Sequence, residues 1–263
     1  MDFGLSGKTA IVAAASRGLG KAVAMAVARE GAHVVVFSRD PGAIQSAAED
    51  IAQTTGAQVL GLTADATHLQ DLERVVGAAV DRFGTIHVVY NNAGGPKPGF
   101  FDSLADADWQ SAFELNLLSA VRLTRLCLPC MRAQRWGRVI IGTSSSVKQP
   151  IEDLMLSNSI RSATTAWAKT LADQVAADGI TVNTLAPGRI LTERLRQIDQ
   201  AESERTGAPL DEVTQRKLAA IPMGRYGEPA EFGAAAAFLA SEQASYITGV
   251  TLLVDGGMFR GTY

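Results

Sequence analysis

The stretch Ala13-Ala14-Ala15-Ser16-Arg17-Gly18-Leu19-Gly20 joins a short apolar run at 9–13 to a segment of helical period at 19–29. Glycines at a strand-to-helix turn let the backbone approach a bound group closely. The unpaired amides and positive dipole end of the helix then favour an anion, above all a pyrophosphate. Taken alone, Gly18 and Gly20 are explained as well by a tight turn as by binding. The surrounding chain decides between the two.

Outward from this turn, β-branched runs at 33–37, 58–63, 87–90, 138–142, 181–185 and 251–254 alternate with apolar-periodic segments at 43–54, 69–83, 106–135, 153–177 and 229–240. Strands apolar on both faces and separated by helices predict an α/β fold. It is a single doubly wound (Rossmann) domain, a parallel sheet of about seven strands with helices on both faces. No composition shift or Gly/Ser/Pro linker divides the chain, so 1–263 reads as one dinucleotide-binding domain. The rhythm breaks only at 189–223, which is charged, lacks a strand signal and contains Gly207, Pro209 and Pro222. An insertion of this length beside a sheet predicts a substrate lid, and its charges, alternating in sign from Glu193 to Arg205, predict a solvated helical face.

Composition removes several function classes. With 47% hydrophobic and 19% charged residues, the chain carries too much apolar surface to be disordered. A formal charge of −3 without a basic run offers no footprint for nucleic acid. No segment approaches the roughly 18 consecutive apolar residues of a membrane span. The first residues, with Asp2, Gly4 and Gly7, lack the basic start and unbroken apolar stretch of a signal peptide, so a cytoplasmic location is expected. Cys127 and Cys130 with His33, His68 and His87 show no metal-ligand spacing; no metal is expected, and the thiols read as half-buried on one helix face.

In a doubly wound sheet the residue ending the second strand distinguishes cofactors, because a carboxylate there pairs with the ribose hydroxyls of NAD. Here that position is Ser38, followed by Arg39. With Arg17 on the first turn, two guanidiniums are placed to clamp a 2′-phosphate, the planar bidentate task that suits arginine. NADP(H) is therefore expected over NAD; the plainer alternative is two solvated surface arginines.

Further motifs follow in order: Asn91-Asn92-Ala93-Gly94 after the fourth strand, Leu115-Asn116-Leu117, Pro187-Gly188 with Thr192, Ile247-Thr248-Gly249, and Val254-Asp255-Gly256-Gly257. With the glycine turn, they make nearly the whole chain resemble the short-chain dehydrogenase/reductase family, especially its 3-oxoacyl-carrier-protein reductase-like branch. The resemblance implies that Asp65 contacts adenine, that Asn116 is the active-site asparagine, and that Pro187, Gly188 and Thr192 grip the nicotinamide carboxamide. Ser16, Arg17, Gly18, Leu19, Gly20, Ser38, Arg39, Ala66, Asn91, Ala93, Gly94, Arg161 and Ile190 complete the implied cofactor set. It also implies a homotetramer, or a homodimer, built through the two long helices and the last strand.

The chain departs from the family pattern twice. Ala13-Ala14 stands where the family has Thr-Gly, which predicts an altered turn that still binds. Counting back from Ala168-Lys169-Thr170-Leu171-Ala172 places the family's catalytic tyrosine and lysine positions at Ser157 and Arg161. The serine position falls at Ser144, with Ser145 and Ser146 leaving the register open by a residue or two. A tyrosine, with an ordinary pKa near 10, delivers a proton to a carbonyl oxygen far better than an aliphatic hydroxyl, and such catalysis is worth roughly 10² to 10⁴ in rate. Arg161 keeps the positive charge but is too weak an acid to replace it. Lys148, on the loop leaving the fifth strand, is a substitute donor if it is desolvated beside Arg161; the competing reading is a solvated loop lysine. Tyr90 reads better as the end of a buried strand, and Tyr226 as packing beside the lid.

Two functions remain open. The first is an NADPH-dependent ketoreductase acting on a keto-acyl, polyketide-like or small carbonyl substrate, free or carrier-bound, with Ser144, Ser157, Arg161, Asn116 and Lys148 as its catalytic set. The second is a cofactor-retaining lyase or isomerase, or an NADP-binding pseudoenzyme, suggested by the joint loss of tyrosine and lysine.

Overall fold

A computed structural model describes residues 2–262. Seven strands, β1 (Thr9–Ala13), β2 (His33–Ser38), β3 (Val59–Thr63), β4 (Val88–Asn91), β5 (Gly137–Gly142), β6 (Ile180–Pro187) and β7 (Thr251–Val254), form one parallel sheet in the order β3-β2-β1-β4-β5-β6-β7. The helices are α1 (Gly18–Arg29), α2 (Pro41–Thr55), α3 (Leu69–Phe83), α4 (Asp106–Phe113), α5 (Ser119–Ala133), α6 (Met155–Val175), α7 (Glu193–Thr206), α8 (Leu210–Ala219) and α9 (Pro229–Ala240).

The two-residue alternation of each strand builds two cores. From β1, Ala10 and Val12 point toward Val23, Val27, Ile44 and Phe232 on α1, α2 and α9. Ile11 and Ala13 point to the other face, toward Leu72, Val75, Leu123 and Ala168 on α3, α5 and α6. A fully buried side chain of this size is worth about 1.5–3 kcal/mol, so both faces must be apolar, as the sequence shows. Strand order reverses between β1 and β4, which pair with Val12 opposite Tyr90. A reversal of this kind opens a crevice beyond the carboxyl ends of the two strands.

Three sequence expectations need correction. The helix expected over 106–135 is interrupted by a wider π turn at Glu114–Leu118 that separates α4 from α5. One extra residue per turn leaves the apolar pattern nearly unchanged, so periodicity does not reveal it. Residues 189–223, where a lid is expected, include α7 and α8, but their charges are not all solvated. Asp199 and Lys217 are 4% and 6% exposed and pair at 2.6 Å, because α8 folds back over α7. Cys127 is fully buried rather than half-buried, and burial pushes its thiol up, while Cys130 is half-buried. No helix among the described residues is long and apolar enough to cross a membrane.

Candidate cofactor and active site

The turn after β1 is shaped by close approach. A Cβ on Gly20 would collide with the carbonyl oxygen of Ala14, so only glycine lets α1 start this near the strand. Ala14 itself takes φ +50°, a left-handed conformation that costs a non-glycine residue roughly 1 kcal/mol. The altered turn expected from Ala13-Ala14 is thus a strained alanine in an otherwise intact loop. Arg17 is extended at the N-cap and gives α1 no side-chain cap, so the first-turn amides of Gly18, Leu19 and Gly20 are left for an anion. Half-buried Ser16 lies at the start of this cradle.

The residues expected at the adenosine end are only loosely held. The Ser38 hydroxyl donates to the Asp40 carbonyl at 3.4 Å, and Arg39 is exposed. Arg17 does not stand free beside Arg39 as a second clamp. Its Nη1 binds Glu193 Oε2 at 3.0 Å and ties the glycine turn to the first residue of α7. Asp65 lies beside half-buried Ala66 and accepts from Thr67 N and Oγ1 at 2.9 and 2.8 Å. Burial raises its pKa, but those two bonds, with His68 and Arg39, outweigh burial and leave it below the usual carboxylate range.

Where the strand order reverses, the two asparagines diverge. Asn91 Nδ2 donates to Thr124 Oγ1 on α5 at 2.9 Å. Asn92, part of the same motif but expected to have no role of its own, crosses to the Ala13 carbonyl at 3.5 Å. Ala93 is half-buried, and exposed Gly94 accepts from Asn116 Nδ2 at 2.9 Å, so the π turn is pinned to the loop after β4. At the end of β6, Pro187 is half-buried, Gly188 N donates to the Val254 carbonyl at 2.9 Å and Ile190 is buried. Thr192 Oγ1 accepts from Leu195 N at 3.3 Å and caps α7.

Two of the candidate catalytic residues share one helix stripe. Ser157, Arg161, Thr164, Ala168, Ala172 and Val175 are the buried face of α6 at spacings of three and four. The alanines and valine fill the core, and the same face carries Ser157 and Arg161 to the carboxyl end of β5. Arg161 is 7% exposed, has no ion pair among the described residues, and donates from Nη1 to the Gly142 carbonyl at 3.0 Å. Burial lowers its pKa to about 10, so it remains a cation at neutral pH. Thr164 Oγ1 donates to the Asn116 carbonyl at 3.1 Å, while Asn116 Oδ1 is buried without a partner among the described residues.

Ser144 is half-buried, and its Oγ accepts from Ser146 N at 3.1 Å. Lys148 is exposed, without the burial its proposed role required; its backbone N donates to the Ser145 carbonyl at 3.0 Å, and its ammonium makes no hydrogen bond or ion pair among the described residues. Tyr226 donates to Asp199 Oδ2 on α7 at 2.8 Å, and burial and that carboxylate push its pKa up to about 12, which makes it a poor acid. Sequence reasoning also missed Thr164 and Glu193. Thr164, three residues after Arg161 on the buried stripe, was legible from spacing; Glu193 was not, since its partner lies far away in the chain.

The family described as Enoyl-(Acyl carrier protein) reductase matches residues 13–259. The chain is 35% identical to the 3-oxoacyl-[acyl-carrier-protein] reductase FabG of Vibrio cholerae, over 97% of this chain and 98% of that one. Among solved structures, L-sorbose reductase from Gluconobacter frateurii complexed with NADPH and L-sorbose has a TM-score of 0.94 at 33% identity, covering 99% of this chain and 100% of that one. An actinorhodin polyketide ketoreductase with NADPH has a TM-score of 0.92 at 29% identity, covering 97% and 98%. With the parallel seven-stranded sheet, the glycine turn and the motif order, these similarities show that the chain belongs to the short-chain dehydrogenase/reductase family.

Proposed function

We propose that the protein is an NADPH-dependent reductase of a carbonyl group in a keto-acyl, polyketide-like or small carbonyl substrate, with Ser157 and Arg161 in place of the family's tyrosine and lysine. The observation that carries this reading is Arg161, a buried cation without a carboxylate, held by β5 two residues before Ser144 and one helical turn from Ser157. The uncapped amides of α1 fit a pyrophosphate. Ser38-Arg39 at the end of β2, with no carboxylate for a ribose 2′-hydroxyl, supports NADP(H) over NAD, as do the NADPH complexes of the two solved relatives.

Bound NADPH supplies the hydride. Arg161 holds the nicotinamide ribose and lends positive charge to the oxygen that becomes negative as hydride arrives at carbon. The Ser144 and Ser157 hydroxyls donate hydrogen bonds to that oxygen, and Asn116 fixes the turn of helix beneath them. An aliphatic hydroxyl is a poor acid, so the final proton comes from solvent through these hydroxyls, with exposed Lys148 at the mouth. Carrier-bound substrates are included because the Vibrio cholerae relative is a 3-oxoacyl-[acyl-carrier-protein] reductase. Exposed Phe113 on α4 and Val250 beside β7 support assembly as a homotetramer or homodimer, which light scattering tests.

A second reading is reduction of a carbon–carbon double bond conjugated to a carbonyl. It is favoured by the same absence of a phenol at 157 and by the enoyl reductase description of the matching family. Hydride then adds to the β-carbon, the electron pair moves to the carbonyl oxygen as an enolate beside Arg161, and the α-carbon takes a proton from solvent. Loss of NADPH absorbance with β-keto thioesters and with 2-enoyl thioesters separates the two. Oxidation with keto substrates is expected, and oxidation with enoyl substrates alone selects the second reading. Neither, in protein that binds NADPH, selects a non-redox lyase, isomerase or pseudoenzyme.

A further inference from the structure

The carboxyl end of β5 holds a second unusual group. Tyr90, on neighbouring β4, is 1% exposed, and its hydroxyl has no hydrogen-bond partner among the described residues. Its position depends on Gly142: a Cβ there would lie 2.6 Å from Tyr90 Oη and 3.2 Å from Asn92 Oδ1. Bare backbone at Gly142 therefore admits the phenol to the end of the strand. The carbonyl of that same residue receives Arg161 Nη1 at 3.0 Å. A buried guanidinium with five N–H groups and one hydrogen bond to protein thus converges with a buried phenol oxygen that has none. Leaving either unsatisfied is costly, and leaving the charged one unsatisfied is the worse.

We propose that Tyr90 is a positioning residue for Arg161: when NADPH binds, its phenol oxygen becomes a neutral acceptor for one edge of the guanidinium, directing the other edge to the nicotinamide ribose while the full positive charge stays in the site. A carboxylate in that place would hold the arginine as firmly but cancel its charge. The two groups already influence each other. Burial pushes the Tyr90 phenol up and the Arg161 charge draws it back, so it remains neutral at ordinary pH. Burial lowers Arg161, and Tyr90 opposes that shift. At 1% exposure the phenol acts on the reaction only through Arg161.

The inference rests on the placement of Arg161 proposed above, and a double-mutant cycle on NADPH affinity keeps the two apart without needing a substrate. Calorimetric titration of NADPH into the wild type, Tyr90→Phe, Arg161→Met and the double variant gives the four dissociation constants, with thermal unfolding as the control for folding. Tyr90→Phe should weaken NADPH roughly tenfold, as expected for losing a hydrogen bond to a charged group, and Arg161→Met at least as much. In the Arg161→Met background, Tyr90→Phe should change affinity by less than about twofold, since nothing is left for it to orient. If Tyr90→Phe has no effect beside a functional Arg161, or has the same effect in both backgrounds, Tyr90 only fills the core and the inference is wrong. If Arg161→Met leaves NADPH affinity unchanged, the placement of Arg161 fails and takes this inference with it.

Discussion

The two halves of the crevice are built from different materials. Where the cofactor's phosphates are proposed to sit, the turn after β1 is nearly all backbone: uncapped amides, the close approach at Gly20, and a carbonyl that forbids any side chain there. On the side proposed for the reacting carbon, the end of β5 and the first turns of α6 contribute side chains: Ser144, Ser157, Arg161 and, behind them, Tyr90. A backbone cradle tolerates substitution wherever geometry survives, as strained Ala14 shows. A chemical site does not, since exchanging a phenol for an aliphatic hydroxyl changes the acid. On the site proposed above, the chain keeps the binding half of a familiar enzyme while altering its chemical half.

The sharpest way to break this contrast is to change the chemical half alone. Ser157→Tyr with Arg161→Lys should raise reduction of a generic ketone by roughly 10² to 10⁴ in kcat/KM, with little change in NADPH affinity. Steady-state kinetics and binding on the same protein check both parts, and an unchanged rate would mean that more than the proton donor has been lost. Next in size, Gly20→Ala attacks the backbone half. Its Cβ meets the Ala14 carbonyl oxygen, so it should cost about 1–3 kcal/mol of stability and weaken NADPH roughly 10- to 100-fold.

A smaller effect comes from pH. Arg161 is lowered to about 10 by burial, so its cation is intact at neutral pH and is lost as pH rises through about 10. NADPH affinity should hold steady to about pH 9 and then fall by up to roughly tenfold. Arg161→Met should lack this fall, which binding titrations across pH reveal. The smallest effect belongs to Ala14→Gly. Relief of the φ +50° conformation should stabilise the fold by about 1 kcal/mol in denaturant melts while leaving NADPH affinity within about twofold.

The same contrast explains what could be read in advance. Alternating runs and helical stripes report burial, and burial by two faces of a parallel sheet dictates the doubly wound fold, so the seven parallel strands and the helices on both faces followed from pattern, whereas the strand order did not. The glycine turn was legible because close approach leaves a mark in residue type. Ser157 and Arg161 were legible only against a resemblance, since serine and arginine on a helix carry no chemical signature of their own. Other features were hidden by distance in the chain. The Asn91 side chain is taken by Thr124, and Arg17 is taken by Glu193, 176 residues away. The burial of Lys217 against Asp199 depends on α8 folding back on α7, which charge alternation along one helix cannot show.

Central to all of this is hydride transfer by a site without a phenol at 157, and an isotope reports it directly. Wild-type protein is given NADPH carrying deuterium at both C4 positions together with a β-keto thioester, and the product is analysed by mass spectrometry and deuterium NMR. One deuterium on the new carbinol carbon is the predicted result. Recovery of the thioester without deuterium, from protein that binds NADPH and the substrate, would contradict it.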